Sequence, residues 1–342
     1  MPSLETHHHS RRLRRKSLLT ASICALVVAV AGASVTAARG ANGKSLTIAG
    51  VTFFLTDPHF KIVACGSEAA AKSAGNVKVK WYGPTTFDVV KEESVLQSVL
   101  LLKPNGVVFA PGSPTAYNAT IKKSMSGGTP FAMVDSNLSK PYGLGAWYIT
   151  PQHITSILEK PLAKMLGPKG TLGIIGLGAG FAGDVARYAP VITALHKDYP
   201  GINILPVQYG KADTNVSAQI VQSWLTAHPE INVIYASNGP QSYGVVSALR
   251  AAGKLGKVKV VAFDDTPAGI NNLKSGAVQM LISQSPYTQG YDATKALIKY
   301  LRAHPSSRPV APGHPNDHVI PLKLITKSNL GAALAQIKAC GS

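Results

Sequence analysis

The sequence predicts an α/β protein of two similar lobes, each built around a parallel sheet. Three observations lead there. From Lys44 onward, short apolar runs alternate with amphipathic helical stretches, the order that builds a parallel sheet covered by helices on both faces. That order restarts near residue 170. One stretch is also nearly repeated: Gly106-Val-Val-Phe-Ala-Pro-Gly-Ser-Pro-Thr-Ala-Tyr117 matches Asn232-Val-Ile-Tyr-Ala-Ser-Asn-Gly-Pro-Gln-Ser-Tyr243. Each copy is a strand, a turn ending in proline and a helix carrying tyrosine. Each helix leads to a strand that ends in aspartate, Asp135 in one half and Asp264 in the other. Two such halves imply two similar lobes.

In the first half, residues 46–55 read as a strand. Residues 58–73 read as a helix, opened by Asp57 as cap and Pro58 in the first turn. A strand over 77–82, a helix over 88–102, a buried strand over 106–110, a helix over 115–126 and a strand over 129–134 follow. The second half gives strands over 170–175, 203–208, 233–236 and 258–263, with helices over 184–198, 215–227 and 242–252 between them. A further strand over 277–282 is followed by Gln284-Ser-Pro-Tyr287, a helix over 289–302, a Pro-rich loop over 304–315 and a last strand over 319–325.

Ahead of all this stands a segment of another kind. Arg11, Arg12, Arg14, Arg15 and Lys16 precede an uncharged, apolar stretch from Ser17 to Ala38 that closes on small residues. With Val35 and Ala37 suited to a cleavage site, residues 1–38 are expected to be a secretory signal peptide. The mature chain then works outside the cytoplasm, in the periplasm or at the outer face of the membrane. The whole chain carries +18; losing five cations and one anion with the leader brings it to +14. Past the leader no four cations are consecutive, and the lysines are scattered. The expectation is a solvated basic surface with no nucleic acid as partner. Of three cysteines, Cys24 falls in the leader, where Ile23 argues against a lipoprotein site. Cys65 and Cys340 remain, and an exported chain with two cysteines favours a disulfide between them, the alternative being two unrelated buried thiols. No Cys/His spacing suits a metal, and no cofactor is expected.

Ligands of open parallel sheets bind beyond the carboxyl ends of the strands. Following those ends gives Asp57, His59 and Phe60 after the first strand, Ser113 after the third, and Asp135 and Asn137 after the fourth. The second half adds Asn238, Asp264 and, one turn into its first helix, Arg187; Gln284 follows the strand that leads back. Carboxylates accept from paired hydroxyls, amides both donate and accept, and the guanidinium presents a planar fork of donors. Phe60 would stack on the C–H face of a sugar ring. The set suits a polyhydroxylated small molecule, although a lone aspartate after a strand is more often a cap or turn former.

The mature chain resembles the type I periplasmic binding proteins, in the branch that binds sugars for ABC importers. Leu55-Thr-Asp-Pro-His-Phe60 is similar to that family's Asn-Pro-Phe-Phe segment. Arg187 with Ala194-Leu195, Leu225-Thr-Ala-His-Pro229, Asn238, Val261-Ala-Phe-Asp-Asp265 and Gln284 match further motifs in order. The resemblance implies two Rossmann-like lobes joined by a three-segment hinge. The N-terminal lobe would be residues 45–149 and 286–310, the C-terminal lobe 150–285 and 311–342. It also implies a monomer that closes on its ligand and docks on a membrane permease. Asp57, Phe60, Asp135, Arg187, Asn238, Asp264 and Gln284 fall on ligand-contact positions. Departures bear on the ligand: His59 replaces a second Phe, Ser136 an Arg of ribose-type binders, and Ala212 an aromatic. A pentose-type pocket would lose one stacking wall and one cation, which leaves room for a larger or more polar ligand.

Other functions fit less well. Gly178-Ala-Gly-Phe-Ala-Gly183 satisfies a dinucleotide fingerprint, but the turn is too long and no acid ends the next strand; these glycines read as a loop at a lobe edge. No Gly-x-Ser-x-Gly elbow occurs, and the side chains of adjacent Asp264 and Asp265 point apart, so a glycoside-processing enzyme is disfavoured. An exported sensor presenting its ligand to a membrane receptor would share the same features. A repressor of this fold would need a helix-turn-helix where the leader stands. The sequence therefore predicts a non-enzymatic, extracytoplasmic binder of a monosaccharide or polyol that serves an ABC importer.

Overall fold

The computed structural model describes residues 45–140, 142–179, 181–305, 317–331, 334–335 and 339–340; the expected signal peptide lies outside them. In the first lobe the chain runs β1 (Leu46–Thr52), α1 (Pro58–Ala74), β2 (Val77–Tyr82), α2 (Val89–Leu101), β3 (Gly106–Ala110), α3 (Asn118–Ser126), β4 (Phe131–Asp135) and β5 (Ala146–Tyr148). It crosses to the second lobe for α4 (Pro151–Leu166), β6 (Thr171–Gly176), α5 (Ala182–Asp198), β7 (Asn203–Ile204), β8 (Gln208–Tyr209), α6 (Thr214–Ala227) and β9 (Ile231–Ala236). There follow α7 (Gly239–Ala251), β10 (Lys259–Phe263), α8 (Pro267–Ser275) and β11 (Met280–Ser283). Helix α9 (Pro286–Ala303) and β12 (His318–Val319) return to the first lobe, and β13 (Lys323–Ile325) ends in the second.

The sheets are ordered β12-β5-β4-β3-β1-β2 and β13-β11-β10-β9-β6-β7, with β8 also beside β6. Strands β3, β4 and β6 are buried along their whole length, as parallel strands covered on both faces must be. Apolar side chains pack on each face: Val108, Ala132 and Leu297 on one side of the first sheet, Phe109, Ile121 and Met133 on the other. The second sheet repeats this with Ile234, Val245 and Leu281 against Ile174, Val191 and Phe263. Helix starts are fixed by side-chain caps, which satisfy N–H groups that have no partner within the helix. Asp57, Asp88, Asp213 and Asn238 each accept from the turn they open.

The lobes are joined by three crossovers, all at the carboxyl ends of the strands, after Tyr148, after Ser283 and after Val319. The third lies later than the boundary at 310/311 expected from sequence. The expected single strand over 319–325 is two strands in two sheets, with Pro321, which has no N–H to donate to a ladder, between them. The chain arrives there at the cleft end of the second sheet and must run away from it. Strand β13 is accordingly antiparallel to β11, an exception to the all-parallel expectation. The elements β5, α4 and α8 were not anticipated: β5 is three residues long, and α4 carries Pro161 in its interior.

Candidate functional site

The cleft is built from strand ends, and local backbone aims its side chains. Asp57 caps α1 by accepting from the His59 N–H at 2.9 Å, while its carboxyl also lines the cleft. This brings His59 and Phe60 onto the first turn, facing the second lobe. Helix α1 is held tightly against α9: a Cβ at Gly290 would lie 1.9 Å from the Val63 carbonyl oxygen. Asp135 and Asp264, which end the repeated β4 and follow the repeated β10, both take left-handed backbone, with φ of 65° and 74°. Short polar residues tolerate that conformation, and non-glycine strain of this kind concentrates at functional sites.

These side chains meet at one point. His59 Nε2 lies 3.2 Å from Asp135 Oδ1, and its Nδ1 lies 3.5 Å from Asp264 Oδ1, so one imidazole links carboxylates of both lobes. Arg187 Nη2 stands 3.5 Å from the same Asp135 oxygen. Arg187 also donates from Nη1 to the Ser237 carbonyl at 3.0 Å and from Nη2 to Gln284 Oε1 at 3.3 Å, over the face of Phe263 at 5.0 Å. Gln284 Nε2 donates to Asp264 Oδ1 at 2.7 Å, and the Gly239 N–H to Asp264 Oδ2 at 3.0 Å. Asn238 caps α7 through the Gln241 N–H at 3.1 Å and lines the cleft as well.

The space left among these groups is about 20 Å³, bounded by Asp57, His59, Phe60, Asp135, Arg187 and Gln284 among others. That is room for a single water. Both His59 ring nitrogens, Asp135 Oδ1 and Arg187 Nε are buried without a well-directed hydrogen bond. Such groups are expensive in the absence of a partner and are positioned to receive one.

Charge state follows from these contacts. Burial alone would lower the His59 pKa, but the carboxylates of Asp135 and Asp264 overcome it and push it up to about 10. Burial would raise Asp135 and Asp264, but His59 and Arg187 hold both below the usual carboxylate range, with Gln284 helping at Asp264. Asp57, pushed by burial and the charge on Asp264, rises to about 6. At neutral pH the center therefore holds an imidazolium, a guanidinium and three carboxylates.

Nine of the ten ligand positions read from sequence line a cavity here. Asn137 lines a larger one of about 230 Å³ that adjoins the first across Asp135, Phe181 and Arg187. The Asn137 amide also donates to Asp317 at 3.0 Å. Ser113 is the exception: its Oγ accepts from the N–H groups of Thr115 and Ala116 and shapes a turn. In the second half, Asn238, which the repeat aligns with Gly112, reaches the cleft. Cys65 and Cys340 are joined in a disulfide, with Cα atoms 5.7 Å apart. Among the described residues, no group of three or more His, Cys, Asp or Glu is arranged to hold a metal.

Several positioning residues escaped the sequence reading. Gln289 accepts from the Asp135 N–H at 2.7 Å and donates to the Gln284 carbonyl at 2.9 Å, tying two cleft residues together. Asp184 accepts from the Leu177 N–H at 2.6 Å and from Ser237 Oγ. Phe181, inside the glycine-rich loop, reaches across to Phe53 at 5.3 Å and Phe87 at 5.1 Å in the first lobe. Its apolar character between glycines was the one available signal. Buried Glu92, raised to about 8 by burial, accepts from Tyr117 and from the Gly112 N–H, fixing the loop after β3.

Residues 48–305 match the family model of the periplasmic binding protein domain, and the chain belongs to that family. It is 25% identical over 247 residues to the D-ribose/D-allose-binding protein of Pseudomonas aeruginosa, covering 70% of this chain and 75% of the relative. It is 24% identical over 264 residues to the xylitol-binding protein of Mycolicibacterium smegmatis, covering 76% and 72%. Among solved structures it is similar to an ABC transporter solute-binding protein from Agrobacterium vitis bound with alpha-D-tagatopyranose. The TM-score is 0.76 at 25% identity, covering 85% of this chain and 99% of the other. The family is one of type I solute-binding proteins rather than enzymes, and the two-lobed α/β fold is theirs.

Proposed function

We propose that the chain is an extracytoplasmic solute-binding protein that captures a monosaccharide or polyol by lobe closure and delivers it to an ABC transporter permease. One observation carries the reading: donors and acceptors of both lobes converge on a single point, several of them buried in ion pairs without a well-directed hydrogen bond. Hydroxyls supply both donors and acceptors, so a polyol satisfies Asp135, Arg187 and Asp264 at once. The relatives named for ribose, allose and xylitol point to the same class. The basic n-region and apolar stretch of residues 1–38 support export, and the charge and monomeric state expected from sequence are consistent with a diffusing carrier. Ligand drives closure only to the extent that it prefers the closed form.

The test is a melting-temperature screen of the mature chain against D-ribose, D-allose, D-tagatose, D-arabinose and xylitol, followed by calorimetric titration. The expected outcome is saturable one-to-one binding, with stabilisation growing as RT ln(1 + [L]/Kd) and no chemical change in the sugar. No shift with any sugar or polyol at millimolar concentration would overturn the reading.

A further inference from the structure

The charges that line the cleft do not cancel. Asp57, Asp135 and Asp264 face it, against Arg187 and His59. With His59 as the imidazolium, three carboxylates stand against two cations, an excess of one negative charge. Among the described residues no lysine lines the cleft, either in the space among the charged groups or in the roomier part beside Asp135 and Arg187. Two further acids are buried close by: Asp184, which accepts from Ser237 Oγ, and Asp265, which accepts from Ser283 Oγ at 2.7 Å. Tyr243, whose hydroxyl meets Thr266 Oγ1 at 2.5 Å, is held neutral by burial.

The excess sits at Asp57. Asp135 Oδ1 has His59 Nε2 at 3.2 Å and Arg187 Nη2 at 3.5 Å, and Asp264 Oδ1 has His59 Nδ1 at 3.5 Å. Among the described residues no cation lies within ion-pair distance of Asp57. Its carboxyl accepts from the His59 backbone N–H at 2.9 Å, a neutral donor that eases a negative charge without cancelling it. The other lobe presents Asp264 to it, and with burial this raises Asp57 to about 6. Below that pH a proton supplies the missing positive charge. Departures in sequence point the same way. Asp57 stands where the family segment it resembles has Asn, and Ser136, on the cleft wall, where ribose-type binders have Arg. Each change makes the cleft more negative by one charge, and His59 in place of Phe returns only one.

A solute hydroxyl leaves this excess buried, which is costly. An anionic solute adds to it. An ammonium cancels it, and its three N–H donors, with no acceptor, form charge-assisted hydrogen bonds to carboxylates. We propose that the solute is a cationic, amino-substituted sugar or polyol, whose ammonium lies between Asp57 and Asp264 and whose hydroxyls meet Asp135, Arg187, Asn238 and Gln284. This rests on the solute-capture reading above and names the class of solute.

Calorimetric titration of matched pairs at pH 7 tests it: D-glucosamine with D-glucose, D-galactosamine with D-galactose, 1-amino-1-deoxy-D-sorbitol with D-sorbitol, and 1-amino-1-deoxyxylitol with xylitol, beside D-ribose and D-allose. At least one amine is expected to bind tenfold or more tightly than its hydroxyl partner. The amino polyols carry alkylammonium groups that stay charged at pH 5 and 7. The ammonium and the Asp57 proton compete for one place, so amino-polyol affinity should fall about tenfold at pH 5, one unit below 6, and the neutral polyols should not follow. In Asp57→Asn, which keeps the helix cap, the amine preference should fall to parity. Ser136→Arg, which adds a cation to the cleft wall, is the second variant and should also reduce it; melting temperature without ligand verifies that each is folded. If neutral sugars or polyols bind and no amine binds better, or if the preference survives in both folded variants, the ammonium site is overturned while solute capture stands. If nothing in the panel binds, solute capture itself fails, and this inference with it.

Discussion

The two faces of the cleft are made differently. On the second lobe, each charged or amide group is tied to its own lobe. Arg187 donates to the Ser237 carbonyl and to Gln284, Gln284 holds Asp264, and Asp264 accepts from the first N–H of α7. On the first lobe, the Asp57 carboxyl caps its helix, but the side chains of His59 and Asp135 find their counter-charges largely in each other and across the gap. The second lobe is thus a preorganised receptor face. The first lobe pairs His59 with Asp135, and the compensation of its charges is completed when the lobes meet. Preorganisation lowers the cost of binding on one side, while dependence on the partner lobe makes the other side the one that responds to closure.

The largest effect should come from breaking the receptor face. Arg187→Ala leaves Asp135 and Asp264 with only the imidazolium as compensation. Removing one partner of a buried ion pair costs about 3–5 kcal/mol, so sugar affinity should fall by more than a hundredfold and the melting temperature with it. His59→Phe on the other face should cost less, because Asp135 keeps Arg187. Its signature is in pH. With its folded pKa raised to about 10, His59 contributes stability that is complete below about pH 6.5 and is lost as pH rises through 10. Chemical denaturation of wild type should show this alkaline loss, and His59→Phe should flatten it. An unchanged alkaline limb in the variant would remove the imidazolium from the account.

The disulfide ranks next. Cys65 lies in α1 of the first lobe. Cys340 follows a tail whose Leu330 and Leu334 pack on the core of the second lobe. The bond is therefore a fourth covalent link between lobes, beside the three crossovers. Cys65→Ser should lower stability by about 2–4 kcal/mol, and small-angle scattering without ligand should show a wider opening than in wild type. Equal opening in both would mean that the bond staples the tail alone.

Asp57 and Asp264 set the two faces against each other by sign. Asp57 is raised to about 6, so the folded state holds its proton more tightly; the stability it contributes is complete below about pH 4 and lost as pH rises through 6. Asp264 is lowered, so its contribution is present above the usual carboxylate range and lost as pH falls through its folded value. Asp57→Asn keeps the cap, since asparagine caps as well as aspartate, and removes the buried charge. It should become more stable than wild type between pH 4 and 6 and stay so above, by roughly 2–3 kcal/mol at most. Asp264→Asn should be destabilising over the same range. Denaturant midpoints at pH 4 and 7.5 for the two variants decide it.

The strand-end rule found most of the charged center because a parallel sheet forces its loops to one edge, and the repeat made Asp135 and Asp264 stand out as a pair. It overreached at Ser113, where a short hydroxyl was taken up by its own turn. What the sequence hid depends on packing between segments far apart in the chain. Gln289 touches Asp135 across 154 residues, and Glu92 reaches Gly112 from a helix read only as amphipathic. The twin tyrosines show the limit of the repeat: Tyr117 donates to Glu92, while Tyr243 meets Thr266. Equivalent places in the fold have acquired unrelated partners, which no spacing could reveal. The last crossover was misplaced because its two short strands flank a single proline and read as one apolar run.

Phe181 gives the smallest effect and the finest separation of the two faces. It belongs to the second lobe by chain position but is 6% exposed within the core of the first, edge-on to Phe53. Its ring lines the cleft but offers no hydrogen bond, so its main effect is expected on the open–closed equilibrium. Full burial of such a side chain is worth about 1.5–3 kcal/mol, and opening exposes only part of it, so Phe181→Ala should weaken sugar binding by about tenfold. Because the loss lies in closure and not in head-group contacts, it should be of similar size for every sugar that binds. Arg187→Ala should instead reorder the sugars, since each presents its hydroxyls to the guanidinium differently. A panel in which Phe181→Ala also reorders them would place this ring on the ligand itself and make the first lobe more than a closing face.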